Sequence, residues 1–277
     1  MSKTFILNLT PTGMIPTRDM TPHVPTTPDD IVRQVCDVAD MGVSMVHLHA
    51  RDVDTGEPTY KKEVYADIVR GIRKEHPELI LCVSTSGRSF NEFEKRSECL
   101  TLTGDLKPDF GSLTLSSLNF NRQASMNTPQ MIRDLAGTML ERGIRPEMEA
   151  FDVGMINYAK YLIKKGLIRP PYYFNLILGN IACAQADMFH LGIMIRELPE
   201  GSIWSVGGVG NSQLTVNTWG ILSGGGVRVG LEDNIWYDQE RTRLATNRDL
   251  IERIVRVADV FGYRPCTPRE ARKLLGV

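Results

Sequence analysis

Short apolar runs alternate with longer segments of helical period along this chain, and no other feature restricts its fold as much. Eight such run-and-helix units follow one another, with no block of helices or of strands left over. The predicted strands are residues 5–9, 44–52, 79–84, 110–116, 147–151, 172–178, 203–206 and 227–230. The predicted helices are residues 28–39, 61–76, 91–100, 129–141, 157–165, 182–196, 212–222 and 249–260.

This alternation predicts an α/β fold, a (β/α)8 TIM barrel whose single domain covers residues 1–277. Such barrels commonly run to about 250 residues, which agrees with the length of this chain. The alternative, a doubly wound open sheet, needs a Gly-x-Gly-x-x-Gly turn after its first strand. The sequence Thr10-Pro11-Thr12-Gly13 stands there instead.

Charge and hydropathy exclude several classes of protein. The chain has 32 Lys and Arg against 33 Asp and Glu, so no global charge recruits nucleic acid or an anionic membrane. No apolar run is long enough to span a bilayer and no signal-peptide pattern is present, so we expect a cytoplasmic location. The five cysteines are odd in number, scattered and without a Cys-x-x-Cys pair, which favours reduced thiols.

The second predicted strand begins apolar and ends in His47-Leu48-His49-Ala50-Arg51-Asp52. Because successive strand side chains point to opposite faces, His47 and His49 project on the same side and can share one cation. Imidazole nitrogen suits Zn²⁺, and a catalytic zinc site takes about three protein ligands and keeps a position open. The alternative is a pair of solvent-facing histidines followed by a surface turn at Arg51 and Asp52.

In a barrel, the loops that follow the strands carry the chemistry. Polar residues at these strand ends are therefore candidates, although Ser and Asn there often serve in turns and helix caps. The candidates are residues 10–17, His47, His49, Arg51, Asp52, 84–88, Ser116, Ser117, Asn119, Glu149, Asp152, Asn180, 207–211 and 228–234. Within residues 207–211, Gly208 and Asn211 belong to a glycine-rich loop. Its backbone N–H groups suit a thioester oxygen or a phosphate, and a tight turn is the alternative.

The group after the eighth strand can supply the missing metal ligand. Strand eight lies next to strand one in a closed barrel, so Glu232 is within reach of His47 and His49. Arg228 can hold a carboxylate through a forked pair of hydrogen bonds, and Asp233 can take a proton. A helix cap at residues 232–234 and a structural ion pair of Arg228 are the alternatives.

Five segments together resemble the β-keto acid cleavage enzymes, a family that includes the 3-keto-5-aminohexanoate cleavage enzymes. The segments are Thr12-Gly13, His47 to Asp52, Ser84-Thr85 with its glycine, Pro146 to Asp152 and Val227 to Asn234. The resemblance covers nearly the whole chain and implies a zinc-dependent (β/α)8 barrel whose partners are small molecules, a β-keto acid and a CoA thioester.

 It further implies that the enzyme condenses a β-keto acid with acetyl-CoA and releases acetoacetate and a new acyl-CoA.

The resemblance also assigns roles to residues of this chain. His47, His49 and Glu232 would be the zinc ligands. Arg228 and Ser84 would hold the substrate carboxylate, Asp233 would be the base, and Ser116 would add a hydrogen bond. The assembly implied is a homotetramer, with no nucleic acid or membrane partner. One departure is the sequence Met14-Ile15-Pro16, which stands where many relatives have a small residue and a glutamate.

Two competing functions stay open on the sequence alone. A barrel metal-dependent hydrolase also uses His-x-His, but it typically recruits further histidines from later strands. The remaining histidines are His23, His76 and His190, which are predicted in a loop, at a helix end and inside a helix. A metal- or ligand-binding barrel without activity would need no Arg228 or Asp233.

Overall fold

A computed structural model describes residues 3–277, in which eight parallel strands close into a barrel in chain order. Each strand pairs with the next along the chain, and the eighth pairs with the first. The strands are β1 Leu7–Leu9, β2 Met45–Leu48, β3 Ile80–Val83, β4 Phe110–Thr114, β5 Arg145–Ala150, β6 Tyr173–Leu178, β7 Ile203–Gly208 and β8 Gly226–Val229. The predicted (β/α)8 fold is therefore confirmed. The assignment of residues 1–277 to a single domain stays a prediction.

Helices follow the strands and surround the barrel. They are α1 Pro28–Ala39, α2 Lys62–Glu75, α3 Phe93–Ser97, α4 Pro129–Arg142, α5 Val153–Lys164, α6 Met188–Glu197, α7 Gln213–Leu222, α8 Asn247–Val260 and α9 Pro268–Leu275. The predicted start of α1 is confirmed, because the Thr27 side chain accepts a hydrogen bond from the Asp30 N–H and Pro28 occupies the first turn. None of the helices within residues 3–277 is both long and apolar enough to cross a membrane.

Several predicted boundaries were wrong. The third helix, predicted at residues 91–100, is α-helical only over Phe93–Ser97, and the second strand ends at Leu48 instead of residue 52. Three other differences have a clear structural origin. The first strand breaks at Ile6, so that Lys3–Phe5 leaves the barrel and pairs with Tyr263–Pro265. Helix α6 begins at Met188 instead of residue 182, because the Asp187 side chain caps it by accepting the His190 N–H. Helix α5 begins four residues earlier than predicted, at Val153, for the same kind of reason.

Helix α9 was not predicted, and it closes the amino-terminal end of the barrel. Its Ala271 and Leu275 are buried in a cluster that includes Ile6, Met45 and Phe110. The larger apolar core lies between the strands and the surrounding helices. Because the strands are parallel, all their carboxyl ends open at the opposite end, and we call this end the mouth of the barrel.

Candidate active site

His47 lies near the carboxyl end of β2, and His49 is the first residue after that strand. Both side chains are buried at the mouth. Their Nε2 atoms lie 3.2 Å apart. The two imidazoles therefore face one point, as the two-residue spacing predicts.

Glu232 completes this group from the turn after β8. Its Oε1 lies 3.2 Å from the His49 Nε2, and its Oε2 is buried without a hydrogen-bond partner among the described residues. Gly13, in the loop after β1, leaves room for Glu232, because a Cβ at position 13 would lie 2.4 Å from the Glu232 Cγ. The close approach of the two loops thus depends on a residue without a side chain.

These atoms suit a divalent metal ion. The two imidazole nitrogens and a Glu232 oxygen all lie within 4.8 Å of one another, and ligand atoms in a tetrahedral zinc site are about 3.3 Å apart. The unpartnered Glu232 Oε2 is the kind of buried polar atom that calls for a further partner. His47 could also group with Cys82 and Glu147, but burial raises the pKa of Cys82 well above its usual value, so the thiolate that a metal needs is disfavoured.

Glu147, on β5, supports His47 from inside the barrel. Its Oε2 lies 2.5 Å from the His47 Nδ1, and its Oε1 accepts hydrogen bonds from the side-chain amides of Asn8 (2.8 Å) and Asn175 (2.6 Å). Burial acts to lower the pKa of His47, but Glu147 and Glu232 outweigh it and raise that pKa to about 9. The bond to Glu147 occupies Nδ1 and leaves Nε2 free to bind a metal.

Arg228, on β8, is buried among three carboxylates. Its Nη2 donates to the Glu232 Oε1 (2.7 Å), its Nε to the Asp233 Oδ2 (2.9 Å) and its Nη1 approaches the Glu149 Oε1 (3.4 Å). All three nitrogens are therefore engaged by the protein. Thr114 donates a further 2.6 Å hydrogen bond to Glu149.

Glu232 and Asp233 are neighbours in sequence whose pKa values move in opposite directions. Burial opposes the ionised form of both. Arg228, His49 and His47 overcome burial and hold the pKa of Glu232 well below its usual value. Burial, assisted by the negative charge of Glu232, raises the pKa of Asp233 in spite of Arg228. An ionised metal ligand thus stands beside a more basic carboxylate.

Of the other predicted residues, Ser84 lines the same cavity as His49. The side chain of Asn211 is already engaged, with Nδ2 donating to the Gln239 carbonyl and Oδ1 accepting from the Arg241 Nε. Gly208 is the last residue of β7, and in the loop that follows it the Val209 N–H donates to the Leu178 carbonyl and the Gly210 N–H donates to the Asp233 carbonyl. The N–H groups of this loop are therefore less available than the sequence indicates.

Three further candidates have structural contacts. The Ser116 carbonyl accepts a hydrogen bond from Asn127, and the Asp152 side chain caps α5. Arg51 is buried and donates to the carbonyls of Gly13, Pro16 and Gly56, so it fastens the loop after β1 to the loop after β2. These are the turn and cap functions that the sequence left open.

Sequence reasoning missed Glu147 and Thr114 as parts of the site. A signal for Glu147 was present, because Glu147 and Glu149 alternate along a strand and so point to one face. Their partners lie on other strands, so the contacts appear only when the barrel closes.

A (β/α)8 barrel whose mouth presents two histidines, a glutamate and a buried arginine with its carboxylates is typical of enzymes that use a divalent metal. Comparison with known proteins narrows this class. A family model described as "BKACE: beta-keto acid cleavage enzyme" matches residues 4–277. The chain therefore belongs to the beta-keto acid cleavage enzyme family and is an enzyme.

Individual relatives cover the chain along almost its full length. A 3-keto-5-aminohexanoate cleavage enzyme of Fusobacterium nucleatum subsp. nucleatum is 35% identical over 279 residues, which are 100% of this chain and 99% of the relative. A 3-oxoadipate:acetyl-CoA acetyltransferase of Cupriavidus necator is 32% identical over 100% of this chain and 96% of the relative. Among solved structures, apo ObcA matches with a TM-score of 0.80 at 21% identity, over 92% of this chain and 66% of that chain. The last likeness supports the barrel fold alone.

Proposed function

We propose that this enzyme condenses a β-keto acid with acetyl-CoA and cleaves the product to acetoacetate and a new acyl-CoA, using zinc at His47, His49 and Glu232. The observation that carries the proposal is the convergence of these three side chains next to the Arg228–Asp233 pair in a chain of this family. The names of relatives that use acetyl-CoA as co-substrate support the same reaction. We also propose that the enzyme assembles as a homotetramer, which analytical ultracentrifugation would test.

Asp233 is the proposed base. The carbon between the ketone and the carboxylate of a β-keto acid must lose a proton before it can attack the acetyl thioester. The raised pKa of Asp233 makes it a stronger base than an exposed aspartate, and its bond to the Arg228 Nε fixes its orientation. When bound at the neighbouring ligands, a divalent metal would polarise the ketone oxygen and so acidify this carbon.

The overall reaction balances without an external oxidant or reductant. The carbanion displaces CoA thiolate from the acetyl thioester, and the thiolate then attacks the original ketone carbon. Cleavage of the adjacent carbon–carbon bond releases acetoacetate and leaves the other fragment as the acyl-CoA. Asp233 is placed to return the proton to the departing acetoacetate.

Arg228 and Ser84 have different proposed contributions. Because each nitrogen of Arg228 already meets a protein carboxylate, its guanidinium chiefly positions Asp233 and Glu232. A substrate carboxylate could reach it only by displacing one of these partners. Ser84 lines the same cavity as His49, and its hydroxyl accepts a hydrogen bond from the Ser86 N–H, which leaves the hydroxyl proton available to the substrate.

The decisive experiment is mass-spectrometric detection of acetoacetate and acyl-CoA from acetyl-CoA and a panel of β-keto acids, with zinc-replete protein. His49→Ala should lose both bound zinc and product. Asp233→Asn should keep the zinc and lose about 10²- to 10⁴-fold in kcat, which is the usual contribution of a general base. No product from any β-keto acid with zinc bound, or undiminished turnover by Asp233→Asn, would refute the proposal.

A further inference from the structure

Arg88 is a cation at the mouth that the proposed mechanism leaves unused. It lies on the loop between β3 and α3, where it is partly buried. Its Nε is buried and has no hydrogen-bond partner within residues 3–277. A buried donor without an acceptor loses the hydrogen bonds that water would have given it, so an anionic ligand would stabilise this position.

The guanidinium of Arg88 is held in place by aromatic packing. It stacks on the Phe120 ring at 3.6 Å from the ring centroid, and Phe120 packs edge-on against Phe151, with ring centroids 5.8 Å apart. A stacked guanidinium keeps its edges available for the two oxygens of a carboxylate.

Arg88 lies between Ser84 and Phe90, which both line the cavity beside His49, and near enough to the acidic group of the candidate active site to feel its charge. Burial lowers the pKa of Arg88, and the nearby charges of Glu232, Glu149 and Asp233 partly offset that effect. None of these three carboxylates forms an ion pair with it, because they are bound to Arg228. Arg88 is thus near the acidic group but not neutralised by direct contact.

Two other cations line the cavity beside His49, and both already have partners. Arg96 donates to the carbonyls of Thr85 and Met126 and to the side chain of Asn127. Lys95 pairs with Glu92. Arg88 differs from these two cations in that its Nε has no acceptor among the described residues, so an anionic substrate group would find a partner there.

We propose that Arg88 binds a second carboxylate on the substrate and that the preferred substrate is a 3-oxo dicarboxylate. The inference rests on the proposed function, in which the ketone and the first carboxylate lie at the metal ligands and Ser84. Met14 lines the cavity beside His49 with an uncharged side chain, so this wall of the cavity offers no carboxylate to a cationic substituent.

The substrates named for the relatives differ in the charge of the group farthest from the β-keto acid carboxylate, and this charge distinguishes them better than sequence identity does. The relatives named for 3-keto-5-aminohexanoate, which carries an amine, are 35% and 36% identical. The relative named for 3-oxoadipate, which carries a second carboxylate, is 32% identical. These identities are too similar to decide the substrate, whereas the unpaired guanidinium favours the anionic class.

The test is a binding titration of the zinc-supplemented protein without acetyl-CoA. The ligands are 3-oxoadipate, 3-oxohexanoate and 3-keto-5-aminohexanoate, which share a six-carbon chain and differ in the charge of the distal group. The variants are Arg88→Met, which keeps the packing on Phe120, and Arg88→Lys. The matched control is Arg122→Met. Arg122 is exposed and lies with Phe120 in the turn between the short antiparallel strands Leu118–Asn119 and Ala124–Ser125.

Wild type should bind 3-oxoadipate about tenfold to a hundredfold more tightly than 3-oxohexanoate, and it should bind the amino acid least tightly. Arg88→Met should bring the first two ligands to within about twofold of each other, Arg88→Lys should keep part of the ratio, and Arg122→Met should match wild type. A ratio that survives in Arg88→Met, an equal loss for both ligands, or tightest binding of the amino compound would each overturn the proposal.

Turnover with acetyl-CoA is measured separately, so that the two proposals fail in different ways. Acetoacetate from 3-keto-5-aminohexanoate but not from 3-oxoadipate would refute the role of Arg88 and uphold the proposed function. Absence of acetoacetate from every β-keto acid would refute the proposed function, while the binding ratio would still decide the role of Arg88.

Discussion

Replacing Glu147 by Gln tests whether a carboxylate inside the barrel controls the metal site above it. Glu147 is fully buried and accepts four hydrogen bonds, from His47, Asn8, Asn175 and the Cys82 thiol. Gln has nearly the same shape but one acceptor oxygen and no charge. With that oxygen turned toward the His47 Nδ1, the hydrogen bond remains and only its charge-assisted character is lost.

The expected effect is on metal affinity. Replacement of a residue that supports a metal-binding histidine typically weakens metal binding by about 10- to 100-fold, which corresponds to about 1.4–2.7 kcal/mol. Glu147→Gln should fall at the lower end, because a neutral acceptor still holds the imidazole. The Gln amide must also face the amides of Asn8 and Asn175. The Asn8 Oδ1 has no hydrogen-bond partner among the described residues, so rotation of that amide can supply an acceptor.

The assay is competition for Zn²⁺ against a chromophoric chelator, followed by the visible absorption spectrum of the Co²⁺-substituted protein. Ser205→Ala is the control, because Ser205 accepts a 2.9 Å hydrogen bond from Tyr173 in the same buried network but does not touch His47. The control should lose about 1 kcal/mol of unfolding free energy and retain its metal affinity. Zinc affinity within twofold of wild type in Glu147→Gln, with an unchanged cobalt spectrum, would refute the reasoning.

Two further predictions concern a glycine and a helix cap. Gly13→Ala should weaken zinc binding, because its Cβ would lie 2.4 Å from the Glu232 Cγ. The control is Gly56→Ala, since Gly56 has a similar positive φ but open space around it. Equal zinc affinities in the two variants would contradict this prediction. Hydrogen bonding to Arg264 lowers the pKa of Glu270 from its usual value of 4.5 to about 2. The ionised Glu270 therefore stabilises the folded protein fully above pH 4.5, and this contribution is lost as the pH falls through about 2. Glu270→Gln keeps the hydrogen bond of the helix cap and removes only the charge. The difference in thermal unfolding midpoint between wild type and this variant should therefore be constant above pH ~5 and shrink toward pH ~2. A difference that persists at low pH would argue against this role of the charge.

The sequence predicts those parts of the structure that depend on local pattern. Alternating apolar runs predict all eight strands, because each strand is buried on both faces and so reads as an apolar run. Helix α9 was missed although Thr267 and Glu270 form a capping box at its start. It has only eight residues, with Ala271 and Leu275 buried, and a segment this short falls below the roughly 11 residues over which a helical period can be recognised.

The candidate site divides in the same way. The spacing of His47 and His49 predicts their shared direction, since period two is a property of any strand. The position of Glu232 follows from the closure of the barrel, once its fold is predicted. The bond between Glu147 and His47 joins residues 100 apart in sequence, and no local pattern indicates which buried carboxylate faces which imidazole.

The arginine at position 228 pairs with three carboxylates, two of which have opposite pKa shifts. Glu232 must stay ionised to bind a metal, whereas Asp233 must be basic enough to take a proton, although both are buried in one turn. Arg228 meets them through different nitrogens and meets Glu149 through the third. His49 and His47 both lower the pKa of Glu232, which falls. Of the two, His47 also acts on Asp233, but burial and the charge of Glu232 prevail there and the pKa stays raised. Lysine carries the same charge, but its three N–H donors all leave one nitrogen, so it would not reproduce the contacts that three separate guanidinium nitrogens make with these carboxylates.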